Sequence, residues 1–421
     1  MARKVTVTSS SDHATSPTTG MLRYFVNKAV DGDTIVFAVS TVELKSQIKI
    51  SYKSLVIDGS SMGMVTLNGG FSDCVLNVAA YFSENKVLIK NLNIINGKVT
   101  SDYGWGGGMY IVEGNGAIVH VDNCIFNNNE AIATSDGQGG AVRTDGGLFT
   151  NCIFSNNKVS GTAGPLAGGG VCADGGTFIN CVFTGNQAKY GGGVYASLGT
   201  KFYNCTFAKN KATSANFSAG GIAAEDGEII NCILYDNYTG NNISNIAVKS
   251  KTIVNHCAVE STNTLVGTDG NVGLTQSPFK GGMNKDSLTL VDGSLCINTG
   301  TITNITVLTM DQAGNKRIEG TSIDLGAYEY GAGPITTAIF SNVENTKIIL
   351  FPKPSQGTLY DNQTIIDSKM ISVTAYDLLG NLLFVQNQIA TGENIQFKQA
   401  GIYQVVIKSD DTVYHQKIII Q

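Results

Sequence analysis

The segment Asn123-Cys124-Ile125-Phe126 is the first of a series that decides the fold. Closely similar segments return at Asn151-Cys152-Ile153-Phe154, Asn180-Cys181-Val182-Phe183, Asn204-Cys205-Thr206-Phe207, Asn231-Cys232-Ile233-Leu234 and His256-Cys257. The six cysteines follow one another at intervals of 28, 29, 24, 27 and 25 residues. In each copy the cysteine and the residue two positions later are apolar, which indicates a strand with one buried face. A repeat of about 20 to 50 residues indicates a solenoid.

Two further positions repeat with the same period. An asparagine stands five residues after each of the first five cysteines, at Asn129, Asn157, Asn186, Asn210 and Asn237. A glycine cluster precedes each of the same five cysteines, at Gly106–Gly108, Gly139–Gly140, Gly168–Gly170, Gly191–Gly193 and Gly220–Gly221. The gaps are rich in Gly, Asn and Ser, so no amphipathic helix fits between the strands. The sequence therefore predicts an all-β fold, a right-handed parallel β-helix (a pectate-lyase-like solenoid) in which equal positions stack as ladders.

These ladders predict the state of the repeated side chains. Cysteines at one inward position are expected to stack as free, buried thiols, and the asparagines as amide ladders that hydrogen-bond one another. A β-helix also exposes unpaired strand edges at its ends, which must be covered. The segment Gly20–Ala29 has apolar residues at Leu22, Phe25, Val26 and Ala29, a helical spacing, and is predicted to cap the N-terminal end.

The composition excludes several classes of protein. The chain has 421 residues with 28 basic and 33 acidic side chains, a net charge of −5, which argues against a nucleic-acid partner. No apolar run reaches the length of a membrane span. No nucleotide-binding motif, metal-ligand cluster or cofactor signature is found, so we expect no cofactor and no metal. The capped ends favour a monomer.

Several segments resemble known families. The segments Val5–Thr8, Gly20–Arg23 and Gly32–Phe37 resemble the entry of bacterial surface β-helix proteins. The Asn-Cys repeats with their glycine pairs resemble polymorphic outer-membrane proteins. Further on, one stretch is similar to the choice-of-anchor Q domain, which implies that it closes the β-helix. The residues of this last resemblance are Ser294–Gly300, Asp311–Asn315, Arg317 and Asp324–Glu329.

The composition changes after Gly331, Gly333 and Pro334, which predicts a β-helix over 1–333, a linker over 334–346 and a β-sandwich over 347–421. The last region resembles the C-terminal sorting domain of the type IX secretion system of Bacteroidetes. Its matching residues are Phe351–Pro354, Gly357, Tyr376-Asp377, Gly380, Gly401–Tyr403 and Lys417–Ile420. The resemblance implies contact with the secretion machinery, a secreted or outer-surface location and a signal peptide ahead of this sequence. A plain β-sandwich is the alternative, and the alternating segments 371–376 and 402–407 predict antiparallel strands on either interpretation.

Strand register identifies candidate functional residues on the outside of the β-helix. Tyr110, Arg143, Cys172, Tyr195 and Ala223 should point outward on successive coils. Two positions later come Val112, Asp145, Asp174, Ser197 and Glu225. Asp145 and Asp174 on adjacent coils would approach the carboxylate separation of about 5–5.5 Å of retaining glycosidases, and Asp174 and Glu225 the longer separation of inverting ones. The alternative is structural, because each Asp precedes glycine in a turn and Arg143 would neutralise Asp145 at the surface.

Aromatic side chains suggest a second kind of site. Trp105, in a glycine-rich turn, together with Tyr110 and Tyr195 could stack on a sugar ring, although packing against a neighbouring coil is the alternative. The sequence therefore favours a secreted or cell-surface, non-catalytic adhesin, structural or glycan-contacting protein whose partners are extracellular or host glycans or proteins. The alternative is a carbohydrate-active enzyme, a polysaccharide lyase or glycoside hydrolase. An enzyme should show a concave cleft with convergent polar side chains, an adhesin flat or convex ladders.

Overall fold

The computed structural model describes residues 2–333, except 115, 163, 215, 261–264, 281–287 and 304, and the strands of the C-terminal region. The chain forms two compact units, Met1–Ile335 and Thr336–Gln421. The predicted linker, 334–346, lies outside the described residues.

The first unit is a parallel β-helix, as predicted, built from three sheets. The largest has 16 strands and folds into two limbs that share its last two strands. Limb 1 contains Lys4–Val7, Asp33–Phe37, Leu55–Asp58, Lys86–Lys90, Ile118–Asp122, Leu148–Thr150, Thr177–Ile179 and Lys201–Tyr203. Limb 2 contains Ile48–Ser51, Leu76–Ala80, Met109–Glu113, Val142–Thr144, Val171–Asp174 and Val194–Ser197. The shared strands are Ile222–Ile230 and Ile246–Asn255.

Two smaller sheets complete each coil. The ten-stranded sheet holds the strands that follow the repeated cysteines. They are Thr41–Glu43, Val65–Asn68, Leu92–Ile95, Ile125–Asn127, Ile153–Ser155, Val182–Thr184, Thr206–Ala208, Ile233–Tyr235, Ala258–Glu260 and Val272–Leu274. The eight-stranded sheet consists of Lys98–Trp105, Glu130–Gln138, Lys158–Gly161, Leu166–Ala167, Gln187–Ala188, Lys211–Ala212, Tyr238–Thr239 and Asn242–Ile243.

The core consists of ladders that repeat one residue type from coil to coil. Phe154 and Phe183 stack with ring centroids 4.8 Å apart, and Phe149 and Phe178 with centroids 4.6 Å apart. All nine cysteines are buried free thiols, in agreement with the sequence. Burial raises the pKa of the Cys74 thiol to about 12 and also raises that of Cys124, so these thiols stay protonated.

The repeated asparagines have two different structural roles. The asparagine five residues after the cysteine is buried and bonds its copy in the next coil, as Asn157 Nδ2 donates to Asn186 Oδ1 at 3.0 Å. The asparagine before the cysteine turns the chain with a positive φ, 54° at Asn151 and 57° at Asn231. Asparagine tolerates this left-handed conformation better than other non-glycine residues. In the last coil, His256 takes the same place with φ 48°.

An α-helix lies in the segment for which the sequence predicts the N-terminal cap. This helix, Leu22–Lys28, buries Leu22 and Val26 completely in the core, and Phe25 packs against it. A 3₁₀ turn, Ser60–Met62, lies between the strands Leu55–Asp58 and Val65–Asn68.

The segment that resembles the choice-of-anchor Q domain does not close the end of the β-helix. Residues 288–330, which we call the strap, run along the outside of the ten-stranded sheet and bury its outward residues. Gly326 N donates to Asn231 O at 2.7 Å and Ala327 N to Thr206 Oγ1 at 3.0 Å. The physical reason is that this face is apolar and needs a cover. Its outward residues are Ile153, Val182, Ala208, Ile233 and Ala258.

The strap is organised around one buried arginine. Arg317 is 1% exposed and donates from Nη1 to Glu329 at 3.1 Å and from Nη2 to the carbonyl oxygens of Asp324 and Gly326. Asp311 in turn accepts the backbone N–H of Glu329. The residues of this motif therefore fix the conformation of the strap.

The C-terminal unit contains antiparallel strands, as predicted. Ile371–Tyr376 pairs with both Leu382–Ile389 and Gly401–Ser409. Thr412–Ile420 completes a four-stranded sheet, and Leu350–Phe351, Thr358–Asp361 and Ile395–Gln396 form a three-stranded one.

Candidate functional site

The outward residues of limb 2 stack as the sequence predicts. Tyr110 pairs with Arg143, Arg143 with Cys172, and Cys172 with Tyr195 on successive coils. Asp174 pairs with Ser197. Cys172 is nevertheless only 3% exposed, although it occupies an outward position.

Arg143 joins the two aspartates instead of neutralising one of them at the surface. Its Nη1 lies 2.6 Å from Asp145 Oδ1, and its Nη2 lies 2.6 Å from Asp174 Oδ2. Its Nε donates to Gln138 Oε1 at 2.5 Å, and the residue is only 9% exposed. Burial opposes its charge, but Cys172 and the two aspartates outweigh this and raise the pKa of Arg143. The guanidinium is a fixed, permanently charged centre.

The other oxygen of Asp174 is also bound. Ser197 Oγ donates to Asp174 Oδ1 at 2.5 Å, while Arg143 holds Oδ2. Asp174 therefore accepts a hydrogen bond on each of its two oxygens.

Glu225 is held in the same way on the next coils. Tyr195 donates its hydroxyl to Glu225 Oε1 at 2.6 Å, and Lys249 Nζ lies 2.8 Å from Oε2. The Lys249 contact and then the Tyr195 hydrogen bond lower the pKa of Glu225. Burial and the bond to Glu225 raise the pKa of the Tyr195 hydroxyl. The Lys249 ammonium also lies 4.8 Å from the ring centroid of Phe217.

These groups line a concave cleft of about 720 Å³. Its polar lining converges from several coils, and three aromatic rings lie among the polar groups. The lining residues are Gln138, Gly164, Pro165, Ala167, Cys172, Asp174, Lys189, Tyr190, Tyr195, Asn216, Phe217, Glu225 and Lys249. The sequence analysis expects flat or convex ladders for an adhesin and a concave cleft for an enzyme, and this face of the β-helix is concave.

The cleft arises from unequal lengths of chain in neighbouring coils. The ladder asparagine and the glycine cluster are five residues apart in the coil Asn186–Gly191, but eleven apart in Asn157–Gly168 and ten in Asn210–Gly220. The short coil supplies Lys189 and Tyr190, whereas the longer coils supply Pro165 and Phe217 on either side. Two long connections beside a short one leave a recess between them.

Trp105 lies outside this cleft lining. It is the last residue of a strand, Lys98–Trp105, rather than part of a turn. Its ring centroid is 6.0 Å from that of Tyr103 and 5.8 Å from that of Tyr110, and its indole N–H donates to Asp136 Oδ2 at 3.3 Å. Trp105 and Tyr110 thus form an aromatic cluster on the coils that precede the cleft.

The structure therefore divides the residues that the sequence singles out. Asp174, Tyr195 and Glu225 line the cleft, and Arg143 holds Asp174 in place. Asp145 pairs with Arg143 outside the lining, and Trp105 and Tyr110 stand apart. Sequence reasoning did not identify Gln138, Lys249 or Phe217. The unequal intervals between asparagine and glycine could have indicated where the cleft and its walls lie. The roles of all these residues remain predictions.

Among the residues that the structure describes, no three His, Cys, Asp or Glu side chains come together as a metal-binding group. No helix in the described part of the chain is long and apolar enough to cross a membrane.

Comparisons with known proteins match parts of the chain. Residues 180–197 match the model of the Chlamydia polymorphic membrane protein repeat, as the Asn-Cys pattern predicts. The crystal structure of pectate lyase Pel9A superposes with a TM-score of 0.41 and 13% identity, over 78% of this chain and 96% of that chain. A search of curated proteins found no match.

The comparison that matches the C-terminal region indicates where the protein is located. Residues 349–421 match the model of the secretion system C-terminal sorting domain, which confirms the resemblance seen in the sequence. This domain is the part of the protein that the type IX secretion machinery recognises. The chain is therefore a β-helix protein with a type IX sorting domain, exported to the cell surface or secreted.

Proposed function

We propose that this exported protein binds an extracellular glycan in the cleft on limb 2 without cleaving it. The observation that carries the proposal is the hydrogen bonding of the two carboxylates in the cleft. Each oxygen of Asp174 and of Glu225 already accepts a bond from a side chain of the protein.

This bonding argues against a glycoside hydrolase. Such an enzyme needs one carboxyl group that holds a proton and delivers it to the glycosidic oxygen. Lys249 and Tyr195 lower the pKa of Glu225, which favours its ionised form. Asp174 has no oxygen free of a donor, since Arg143 and Ser197 occupy both.

The same groups argue against a polysaccharide lyase. A lyase base must lose its proton near the working pH to accept one from the sugar. The pKa values of Arg143 and of the Tyr195 hydroxyl are both raised, so both groups retain their protons. Lys249 is paired with Glu225.

The arrangement suits binding instead. Sugar rings are recognised by polar groups at their edges and by aromatic faces, and the cleft combines Tyr190, Tyr195 and Phe217 with fixed carboxylates. The four charged residues of the lining, Asp174, Glu225, Lys189 and Lys249, are balanced in sign. A balanced lining favours a neutral glycan over a polyanionic one.

A glycoside hydrolase is the second candidate, because Asp174 and Glu225 line one cleft from different coils. Closure around a ligand that displaced Lys249 or Arg143 would free a carboxyl group. The test must therefore measure binding and turnover on the same ligands.

The test is a panel of polysaccharides assayed for binding, for new reducing ends and for unsaturated uronate absorbance. We expect wild-type protein to bind without turnover, and Asp174→Asn to bind about tenfold more weakly. Asp145→Asn is the matched control, because Asp145 shares Arg143 but does not line the cleft. Turnover that Asp174→Asn abolishes would establish the hydrolase instead, and failure of wild-type protein to bind any glycan would overturn the proposal.

A further inference from the structure

Three aromatic side chains form a platform on the first coils of the β-helix. Tyr52 directly follows the strand Ile48–Ser51, and Tyr81 and Phe82 directly follow Leu76–Ala80. The ring centroid of Tyr52 lies 5.4 Å from that of Tyr81 and 5.8 Å from that of Phe82. Tyr52 is 59% exposed and Phe82 49% exposed, so the rings are open to solvent on one side.

The backbone of Tyr52 is strained for so large a residue. Its φ is 56°, in the left-handed region that bulky side chains rarely adopt. The next coils have Gly114, Gly146 and Gly175 near this corner of the sheet. A glycine would satisfy the backbone of Tyr52, and its exposed ring gains little from burial. Tyr52→Gly therefore removes the ring without straining the backbone.

The platform lies on the same limb as the cleft. Ser51 pairs with Ala79 and Ala79 with Val112, while Asp174 pairs with Ser197 further along the limb. From the strand of Ala79 to that of Asp174 there are three strand spacings, or about 14 Å. The aromatic residue Tyr110 lies on the strand Met109–Glu113 between them.

We propose that Tyr52, Tyr81 and Phe82 form a second contact for the glycan that occupies the cleft, so that a long chain lies along the β-helix and touches both. This inference rests on the proposed function of the cleft. The exposed ring faces stack on the apolar faces of sugar rings, and the tyrosine hydroxyls are available to their polar edges. The ligand is therefore a linear glycan that is recognised over several residues.

The surroundings of the platform fit a glycan better than a protein. A stable protein interface uses roughly 20–30 residues a side, many of them apolar. Here the residues that flank the rings are exposed and polar: Ser83, Glu84 and Lys86. Three rings among polar groups match the pattern of a sugar-binding surface.

The test compares wild-type protein with the double variant Tyr52→Gly/Phe82→Ser on linear cello-, xylo-, manno- and galacturono-oligosaccharides, from disaccharides to octasaccharides. Phe71→Gly is the matched control, because Phe71 has φ 58° and is 50% exposed but follows a strand of the ten-stranded sheet. In both variants glycine relieves a positive φ, so folding is not compromised.

We expect the double variant to bind the longest oligosaccharides about tenfold more weakly and the shortest ones as well as wild-type protein does. Phe71→Gly should bind all lengths as wild-type protein does. Equal affinity of the double variant and wild type for octasaccharides would overturn this inference and leave the cleft proposal intact. If wild-type protein binds no oligosaccharide of any length, the proposed function fails and this inference fails with it.

Discussion

The inside and the outside of the same coils follow opposite rules. Inside, the ladder position after the cysteine strand holds the same residue in five successive coils: Asn129, Asn157, Asn186, Asn210 and Asn237. Outside, on limb 2, one stacked position changes at almost every coil: Ala79, Val112, Asp145, Asp174 and Ser197. A residue that repeats in every coil meets a requirement of the fold, whereas a position that varies from coil to coil is not constrained by the fold.

The reason lies in how each position is bonded. Every ladder asparagine depends on its neighbours, since Asn186 accepts from Asn157 and donates to Asn210. No single coil can change without leaving buried polar groups unpaired. The outward groups are partly solvated, and each bonds only a local partner such as Arg143 or Lys249.

The largest expected effect is a break in the inner ladder. Asn186→Ala would leave the Phe154 carbonyl oxygen and the Asn157 N–H buried without their partners. Because an unpaired buried group costs about 1–3 kcal/mol, we expect the free energy of unfolding to fall by about 3 kcal/mol. Urea denaturation followed by circular dichroism measures this change.

The control for this prediction is a surface asparagine of the preceding coil. Asn156 is exposed and has φ 56°, so Asn156→Gly keeps the backbone conformation and should change the free energy of unfolding by less than about 0.5 kcal/mol. If the two substitutions cost the same, the ladder does not explain why asparagine repeats inside the coil.

The outward face of the ten-stranded sheet differs from that of limb 2, because the strap covers it and buries its residues. Burial raises the pKa of Glu329 to about 7 from its ordinary value of 4.5, even though Arg317 lies beside it. The folded protein therefore retains a proton that the unfolded chain has already lost. The stabilisation is complete below about pH 4.5 and is lost as the pH rises to about 7.

We expect Glu329→Gln to remove this dependence. The free energy of unfolding of wild-type protein should fall, relative to that of the variant, by about 1–3 kcal/mol between these two pH values. Parallel urea denaturations across the range measure the difference. A constant difference between the two proteins would show that Glu329 is ionised throughout and that the strap is held by an ordinary ion pair.

The sequence predicted those parts of the fold that repeat. The Asn-Cys period gave the parallel coils, the inward cysteines and the amide ladder, and the apolar spacing over Leu22–Ala29 gave the N-terminal helix. Each of these features rests on local periodicity, which a single sequence displays. The stacking of Arg143 between Tyr110 and Cys172 followed from the same register.

The features that the sequence did not predict depend on contacts between distant segments. Gly326 and Ala327 of the strap contact Asn231 and Thr206, which lie 95 and 121 residues earlier in the chain, and nothing periodic marks that path. Lys249 meets Glu225 where the two shared strands, Ile222–Ile230 and Ile246–Asn255, pair with a shift in register. The cleft lies where the short coil Asn186–Gly191 stands between two longer ones, so it depends on three coils together.

The smallest expected effect concerns two tyrosines, one on each limb, that each donate to a glutamate paired with a lysine. Because the contacts match, comparing the two tyrosines separates ligand binding from stability. On limb 2, Tyr195 donates to Glu225, which pairs with Lys249; on limb 1, Tyr203 donates to Glu228, which pairs with Lys201. Tyr203 is only 4% exposed and packs near the strap, whereas Tyr195 lines the cleft.

Tyr195→Phe and Tyr203→Phe each remove one hydroxyl from this constellation. Each should lower the free energy of unfolding by about 1 kcal/mol, because each deletes a single hydrogen bond. Only Tyr195→Phe should weaken the binding of oligosaccharides, by about three- to tenfold, in titrations of both variants on the same ligands. If both variants bind the oligosaccharides equally well, the changes of residue along limb 2 serve neither ligand binding nor the fold. Weaker binding by Tyr195→Phe alone would connect that variation to ligand recognition.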